Sequence, residues 1–269
     1  FILHPHEGKR TVLNILFLGD VVGRSGCEFA ARHLPALKST YQVDACIING
    51  ENSAEGNGIT PDSAQMLFRA GADVITTGNH VLRRREIYPV LDEENGIIRP
   101  ANYHVSAPGS GVFILDRLRW QLCVINLQGQ VGMEPCSNPF EKVDALLKEI
   151  HTRNILVDFH AEMTSEKKAM GYYLDGRVSA VVGTHTHVQT ADERILPQGT
   201  AYITDAGMCG GRNSVLGVRK DIILHRFLTN LPVRFEYDHE DIELNAVLIS
   251  VDSSTGKAQS IQRLCICES

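Results

Sequence analysis

The sequence contains no apolar run long enough to cross a bilayer and no excess of basic residues. Its hydrophobic stretches end well short of the roughly 20 residues that a membrane-spanning helix needs. The formal net charge is −6 at pH 7, so the chain offers no broad basic face for duplex nucleic acid. These absences exclude a helical membrane span in this sequence and argue against duplex binding. We expect small anionic molecules as substrates.

The seven cysteines include no Cys-x-x-Cys pair, and their number is odd. This pattern is not that of a disulfide framework, so we expect reduced thiols and a cytoplasmic location. Alternation along the last predicted strand places Cys265 and Cys267 on one face. They could bind a metal, but we favour packing as small buried side chains, because free cysteines are commonly buried.

Length and composition are those of an ordinary globular protein. With 269 residues, of which 43% are hydrophobic and 22% charged, the chain can bury a sizeable core as one domain. Residues 1–11 carry no periodic pattern and precede the first convincing strand. We expect an N-terminal extension there, either flexible or introduced by cloning. Residues 12–269 are then predicted to form a single domain, since no repeat or linker interrupts them.

Hydrophobic periodicity predicts alternating strands and helices. Residues 12–78 indicate strand, helix, strand, helix and strand. The predicted helices cover 26–40, 61–70, 83–93, 138–152, 164–174 and 221–229, and later strands cover 112–115, 122–127, 155–160 and 178–182. Thr60 and Asn138 are expected to cap the helices that follow them, and Thr164 to cap the fifth helix approximately.

The last third of the sequence changes character. Its extended runs cover 201–204, 233–237, 244–251 and 259–267. We expect them to form a second, largely antiparallel sheet that packs on the first. The glycine-rich segment 207–211 has two open interpretations, a loop whose exposed amides bind an anion and a flexible turn. For the basic run 83–85 we favour a solvated helix face over attraction of phosphate.

Five apolar runs each end in side chains that can ligate a metal or transfer a proton. These residues are Asp20, Glu51, Asn52, Asn79, His80, His160, His185 and His187. In open α/β sheets the reacting groups collect beyond the carboxyl ends of the strands, so these residues can share one pocket. Carboxylate, amide and imidazole donors without a thiolate suit hard or borderline cations. The set is too large for one catalytic ion and predicts two, about 3.5 to 4 Å apart.

Each of these residues also has a structural interpretation when it is taken alone. An aspartate after a strand can form a turn, an asparagine beside glycine can cap a loop, and a lone histidine can be a hydrogen-bonded core residue. A pair such as His185 and His187 also occurs in amidohydrolases, but there it lies on the first strand of a β/α barrel. Asp158 and Glu162 are expected to support ligands or cap loops. The order of the whole set favours the shared metal site.

Five blocks, met in order, resemble the calcineurin-like metallophosphoesterase superfamily and most closely its YmdB-type branch. They are residues 18–23, 49–52, 77–80, 158–162 and 183–190. The resemblance extends over nearly the whole chain after Val12. It implies an α/β fold of the four-layer αββα type, a sandwich with two mixed sheets.

The same resemblance implies a dinuclear centre. One ion would be held by Asp20, Asn52 and His187 and the other by Asn79, His160 and His185, with Glu51 bridging them and His80 as the catalytic histidine. Two positions depart from the broader superfamily but not from the YmdB-type branch. Val22 stands where a ligand histidine often follows the first aspartate, and Glu51 replaces the usual bridging aspartate. The more oxygen-rich site favours manganese or iron over zinc.

The implied activity is that of a metal-dependent phosphoric diester hydrolase acting on small cyclic nucleotides, with 2',3'-cyclic nucleotides as the substrate class. Metal-bound hydroxide would attack phosphorus, and His80 would protonate the leaving ribose oxygen or donate a hydrogen bond to the transition state. The family also suggests a homo-oligomer. Two alternatives stay open: a phosphomonoesterase or nucleotidase, and a regulatory protein that senses nucleotide or metal and hydrolyses slowly.

Overall fold

The computed structural model describes residues 11–268 and shows a mixed α/β fold. Its strands are β1 (Val12–Leu18), β2 (Asp20–Val21), β3 (Ala45–Asn49), β4 (Val74–Thr76), β5 (Val112–Arg117), β6 (Trp120–Gln128), β7 (Ile155–His160), β8 (Ala180–Thr184), β9 (Arg194–Ile195), β10 (Ala201–Ile203), β11 (Met208–Gly211), β12 (Ile242–Asp252) and β13 (Ala258–Cys267). Its α-helices are α1 (Gly23–Thr40), α2 (Pro61–Ala70), α3 (Tyr88–Leu91), α4 (Pro139–Glu149), α5 (Thr164–Leu174) and α6 (Lys220–Thr229). Within the described range, no helix combines the length and apolar character required to traverse a bilayer.

The predicted N-terminal extension over residues 1–11 lies outside the described residues, apart from Thr11. The N-terminal extension therefore stays a prediction. The assignment of residues 12–269 to a single domain also stays a prediction.

Two mixed sheets organise the strands. The first has the order β2-β11-β12-β1-β3-β4, with β13 beside β12, and the second has the order β5-β6-β7-β8-β10-β9. Strands β1, β3 and β4 run parallel to one another, as do β6, β7 and β8. In each sheet the carboxyl ends of three consecutive strands therefore gather at one edge, where a site can form.

Three apolar layers build the sandwich. In β1, Ile15 and Phe17 belong to the layer between the sheets, whereas Leu16 and Leu18 belong to the layer under α1 and α2. A strand buried on both faces has a nearly continuous apolar sequence, as β1 does apart from Asn14. The outer face of the second sheet packs against α4 and α5 through residues such as Val157. The predicted αββα sandwich with two mixed sheets is confirmed.

The predicted helix caps are confirmed in two of three cases. The side chain of Thr60 accepts a hydrogen bond from the Ser63 N–H at 3.3 Å at the start of α2. Asn138 caps α4 in the same way by accepting from two backbone N–H groups. The cap predicted at Thr164 is wrong, because Met163 occupies the N-cap of α5 and makes no side-chain cap bond.

The helix predicted over residues 83–93 is wrong in its extent. The structure has two 3₁₀ turns, Val81–Arg83 and Arg85–Ile87, before the single turn of α3. Pro89 explains the difference, because its ring clashes with the carbonyl group four residues earlier in a continuous α-helix. The strand predicted over residues 233–237 is also absent from the described structure, where Tyr237 forms only an isolated bridge with Val218.

The prediction that all the late strands form the second sheet is wrong, although β10 does belong to that sheet. Strands β12 and β13 belong to the first sheet, where β12 runs antiparallel to β1 and places Leu248 opposite Leu16. Residues 207–211 form neither an exposed loop nor a flexible turn, since β11 is a buried strand between β2 and β12. Many apolar strands share the same alternation, so periodicity alone does not specify which strands pair.

The burial predicted for the two cysteines near the C-terminus is wrong as well. Leu264 and Ile266 pack in the layer beside α1. Alternation turns Cys265 and Cys267 to the opposite face of β13, and both are exposed.

Candidate metal centre

The carboxyl ends of several strands bring all eight predicted residues to one place. Asp20 follows β1, Glu51 and Asn52 follow β3, His160 ends β7, and His185 follows β8. Each of the eight lies within hydrogen-bonding or ion-pair distance of another member. The structure therefore places the whole set in one cluster, while the role of each residue as a ligand or catalyst stays a prediction.

Glu51 lies in the middle of this cluster and is fully buried. Its Oε1 atom is 3.2 Å from His160 Nε2 and 3.1 Å from Asn52 Nδ2. Its Oε2 atom accepts a hydrogen bond from the His80 backbone N–H at 3.0 Å. Gly78 makes room for this arrangement, because a Cβ atom there would overlap the His160 ring and lie 2.5 Å from Glu51 Oε2. The Glu51 carboxylate thus contacts both predicted groups of ligands, one through Asn52 and the other through His160.

The hydrogen bonds of His160 indicate which of its nitrogens carries a proton. The Thr184 hydroxyl donates to Asp158 Oδ1 at 2.7 Å and therefore accepts from His160 Nδ1 at 2.8 Å. In the neutral ring, Nε2 then presents a lone pair to Asn79 Oδ1 at 3.0 Å and to Glu51 Oε1 at 3.2 Å. The three atoms, His160 Nε2, Asn79 Oδ1 and Glu51 Oε1, would then all be acceptors without a donor between them. A positive charge among them, from a proton or a cation, is needed to make their approach favourable.

His185 adds a further acceptor. Its Nε2 atom lies 3.2 Å from Glu162 Oε2, which as a carboxylate can only accept, so the ring proton resides on Nε2. The lone pair on its Nδ1 atom lies 3.1 Å from His160 Nε2. The ligand atoms of Glu51, His160 and His185 all lie within 4.8 Å of one another. Convergent lone pairs of imidazole and carboxylate fit a divalent metal ion.

Asp20, Asn52 and His187 form the other half of the centre. His187 Nδ1 donates to the carbonyl oxygen of Leu216 at 3.0 Å. In the neutral ring this leaves a lone pair on Nε2, which lies 3.6 Å from Asp20 Oδ1. The amide nitrogen of Asn52 lies 3.3 Å from both Asp20 Oδ1 and His187 Nε2. The Asn52 carbonyl oxygen accepts from His80 Nδ1 at 2.8 Å. In this arrangement the Asn52 NH₂ group contacts Asp20 Oδ1 and His187 Nε2, the same two acceptor atoms that a bound cation would contact.

The loop after β8 has an uncommon backbone conformation. His185 has a φ angle of 103° and His187 one of 64°, a region that costs non-glycine residues about 1 to 3 kcal/mol each. Asp205 stabilises the loop by accepting from the Thr186 N–H at 3.0 Å and from its hydroxyl at 2.8 Å. Lys167 in turn donates to Asp205 at 2.7 Å, and both side chains are buried. The buried ion pair thus holds the two histidines toward the centre.

Comparison with known proteins relates this geometry to a family. A family profile described as YmdB-like protein matches residues 16–264. The chain belongs to the YmdB-like protein family. The family predicted from the five sequence blocks is therefore confirmed.

Relatives of this YmdB-like chain match it over nearly their full length. A Bacillus subtilis protein named 2',3'-cyclic-nucleotide 2'-phosphodiesterase is 48% identical over 256 residues, which cover 94% of this chain and 97% of the relative. A solved structure of a hypothetical protein from Thermus thermophilus is 38% identical, with a TM-score of 0.91 over 96% of this chain and 100% of that one. A solved structure described as a novel phosphatase from Mycoplasma pneumoniae is 35% identical, with a TM-score of 0.91 over 96% and 94%.

The electrostatics of the YmdB-like centre attract positive charge. Burial by itself would raise the pKa of Asp20, but His187 holds that pKa well below its usual range. Burial would lower the pKa of His160, yet the neighbouring Glu51 raises it to about 9. Burial and the adjacent His160 lower the pKa of His185 to about 3. The carboxylates therefore favour one positive charge at His160 Nε2, and a bound cation would take the place of that proton.

Sequence reasoning missed three residues that position the centre. Thr184 lies within the block 183–190, and a polar residue at the end of an apolar strand is a signal that could have identified it. Asp205 follows β10 in the same way. Lys167 has no such signal, because a lysine in an amphipathic helix is almost always exposed.

Glu134 was also missed. It accepts from Asn79 Nδ2 at 3.3 Å and from an Arg83 guanidinium nitrogen at 3.1 Å. It belongs to the segment between β6 and α4, which has no periodic pattern. Arg83, expected on a solvated face, is about half exposed and forms this ion pair at the rim of the centre.

Proposed function

We propose that this chain hydrolyses 2',3'-cyclic nucleotides as a metal-dependent phosphodiesterase. The observation that carries the proposal is the convergence on His160 Nε2 of His185 Nδ1 at 3.1 Å and Glu51 Oε1 at 3.2 Å, which requires a positive charge. The substrate class is the one named for the Bacillus subtilis relative, which is 48% identical. A metallophosphoesterase implies divalent cations, and the donor set described above fits them.

Two cations are proposed for the centre. Asp20, Asn52 and His187 would hold one, and Asn79, His160 and His185 the other, with Glu51 shared between them. Carboxylate, amide and imidazole groups supply all of these ligand atoms, and no cysteine belongs to the set. Manganese or iron is therefore favoured over zinc.

His80 is proposed as the proton donor. Bound cations would activate a water molecule and neutralise charge on the phosphoryl oxygens. His80 Nδ1 is 2.8 Å from Asn52 Oδ1 and 3.4 Å from Glu51 Oε1, which leaves Nε2 for the substrate. In the proposed reaction the water molecule would lose one proton to solvent and its oxygen would bond to phosphorus. The bond from phosphorus to one ribose oxygen would break, and His80 would give its proton to the leaving oxygen. The product is a nucleoside monophosphate.

Asn52 couples this proton donor to the ligands. If the amide group turns so that its carbonyl oxygen faces Asp20 and His187, it can ligate a cation. Its NH₂ group then donates to His80 Nδ1. The His80 proton consequently resides on Nε2, the nitrogen that a general acid must present to the substrate.

The test compares diester and monoester substrates with protein of known metal content. Elemental analysis of anaerobically prepared protein is followed by hydrolysis of 2',3'-cyclic nucleotides, bis(p-nitrophenyl) phosphate and p-nitrophenyl phosphate under saturating Mn²⁺. We expect two cations per chain and a preference for the diesters. Tight binding of cyclic nucleotide without turnover, in protein that contains both metals, would contradict the proposal.

A phosphomonoesterase is the second candidate. It is favoured by the similarity to the Mycoplasma pneumoniae structure, since that protein is described as a phosphatase. A higher kcat/KM for p-nitrophenyl phosphate than for the diester would select this candidate.

We also propose a cytoplasmic location and a homo-oligomer. The free state of all seven cysteines supports a reducing compartment. Light scattering coupled to size-exclusion chromatography would give the oligomer mass, and a monomer mass would end the second proposal.

A further inference from the structure

The exposed face of β13 carries two thiols that are not among the eight residues of the proposed catalytic centre. Free cysteines are among the most buried residue types, and four of the seven in this chain are buried. Cys265 and Cys267 are both exposed. Their positions two residues apart on one strand direct both side chains to the same face. Packing therefore does not explain why both positions are cysteine.

A carboxylate completes the cluster. Glu243 on β12 is the direct partner of Cys267 in the antiparallel pairing, so their side chains lie side by side. Ligand atoms of Glu243, Cys265 and Cys267 all lie within 4.8 Å of one another. The two sulfur atoms are 3.8 Å apart. Two thiolates bound to one tetrahedral zinc ion at about 2.3 Å are also separated by about 3.8 Å.

We propose that Cys265, Cys267 and Glu243 form a second metal site that binds one zinc-like cation and joins the ends of β12 and β13. Two thiolates and one carboxylate supply three ligands of a tetrahedral site, and water takes the fourth position. Soft thiolates select zinc over manganese, whereas the catalytic centre has no thiolate. The two sites therefore prefer different metals.

The surroundings support this site. The Asn245 side chain donates to Glu243 Oε1 at 3.2 Å and to the Met208 carbonyl oxygen at 3.2 Å, so the carboxylate is oriented before a metal binds. Metals bind thiolates and not thiols, so binding of a cation would release protons from the two cysteines.

The spacing of the cysteines favours a metal over a disulfide bond. Residues two apart on an extended strand have Cα atoms about 6.6 to 6.8 Å apart. This separation is at the upper limit for disulfides, which most often have Cα atoms about 5.5 to 6 Å apart. A shared cation joins the two sulfur atoms without moving the backbone.

The test is a Co²⁺ titration of the reduced, full-length protein after its catalytic centre has been loaded with Mn²⁺. Thiolate ligands give a sulfur-to-cobalt charge-transfer band, and Co²⁺ at the catalytic centre gives none because that centre has no cysteine. We expect the band to saturate at one Co²⁺ per chain and to disappear when Zn²⁺ is added. The Cys265→Ser/Cys267→Ser double variant should lack the band, and Glu243→Gln should bind Co²⁺ at least about tenfold more weakly.

Cys136→Ser is the matched control, because Cys136 is only partly buried and lies outside the cluster. It should keep the full band. Absence of the band in the wild-type protein, or its survival in the double variant, would overturn the proposal. A second measurement needs no variant: Zn²⁺ should slow alkylation of Cys265 and Cys267 by iodoacetamide but leave Cys136 unchanged. Equal alkylation rates with and without Zn²⁺ would also refute the site.

Discussion

The Nδ1 atom of His160 lies 2.8 Å from the hydroxyl oxygen of Thr184, and this contact directs the other ring nitrogen at Glu51. The hydroxyl can accept from His160 because its own proton goes to Asp158 at 2.7 Å. Asp158 is buried, so the chain of hydrogen bonds has little freedom to rearrange. If His160 binds a metal as proposed, its affinity should depend on the partner that orients its ring.

Thr184→Val should therefore weaken metal binding with little change in shape. Valine keeps the branched side chain but removes the hydroxyl, which leaves His160 Nδ1 and Asp158 without their shared partner. We expect the affinity for Mn²⁺ to fall by about 10- to 100-fold, measured by isothermal titration. Thr164→Val, at an exposed position that makes no cap bond, is the control. An unchanged affinity in Thr184→Val would show that the hydroxyl does not orient the ligand.

His80→Ala should separate catalysis from metal binding. His80 is proposed to move a proton and not to ligate, so the variant should keep both cations while kcat falls by about 10²- to 10⁴-fold. Metal content by elemental analysis and turnover of a 2',3'-cyclic nucleotide are the two measurements. His151→Ala, an exposed histidine before β7 at the opposite edge of the second sheet, should change neither. Full activity in His80→Ala would remove this residue from the mechanism.

Lys167→Met should destabilise both the fold and the loop that carries His185 and His187. The substitution leaves the Asp205 carboxylate buried without its cation, a loss of about 3 to 5 kcal/mol in the free energy of unfolding. Urea denaturation measures this loss, and metal content reports the effect on the loop. Lys168→Met, at the exposed neighbouring position, should have a much smaller effect. Equal stabilities of the two variants would refute a structural role for the ion pair.

Asp192 should contribute stability that depends on pH. Its carboxylate accepts from the Thr204 N–H at 3.1 Å and from the Thr190 hydroxyl at 2.7 Å. Partial burial would raise the pKa of Asp192, but the hydrogen bonds from Thr204 and Thr190 lower it below the ordinary value. Because the folded-state pKa is the lower one, the stabilisation is complete above the unfolded-state pKa of about 3.9. It is lost as pH falls through the folded-state value.

Asp192→Asn tests this dependence. The variant should lower the free energy of unfolding by about 1 kcal/mol at neutral pH, and the difference from wild type should shrink in acid as the native carboxylate is protonated. Urea denaturation at neutral and at acid pH gives the comparison. Glu149→Gln, an exposed carboxylate on α4, provides the reference substitution. A difference that grows as pH falls would contradict the direction of the pKa shift.

Several features were predictable because their causes are local. The cap at Thr60 needs only a hydroxyl and the backbone three residues later. The break in the helix predicted over 83–93 also has a local cause, because Pro89 lies inside the predicted range. The sheet to which β12 belongs was not predictable in this way, because its partner β1 lies more than 200 residues earlier in the chain.

The sequence by itself determined the donor types of the candidate centre and their order. Each donor directly follows an apolar run, and such runs show where strands end. Only the tertiary structure decided which hydrogen bonds and ion pairs orient these donors and which other residues contact them. The Thr184 contact with Asp158, the Lys167 pair with Asp205 and the exposure of Cys265 all depend on elements that meet after folding. Local periodicity cannot specify these long-range contacts, because the free energy that selects them comes from packing between segments that are distant in the sequence.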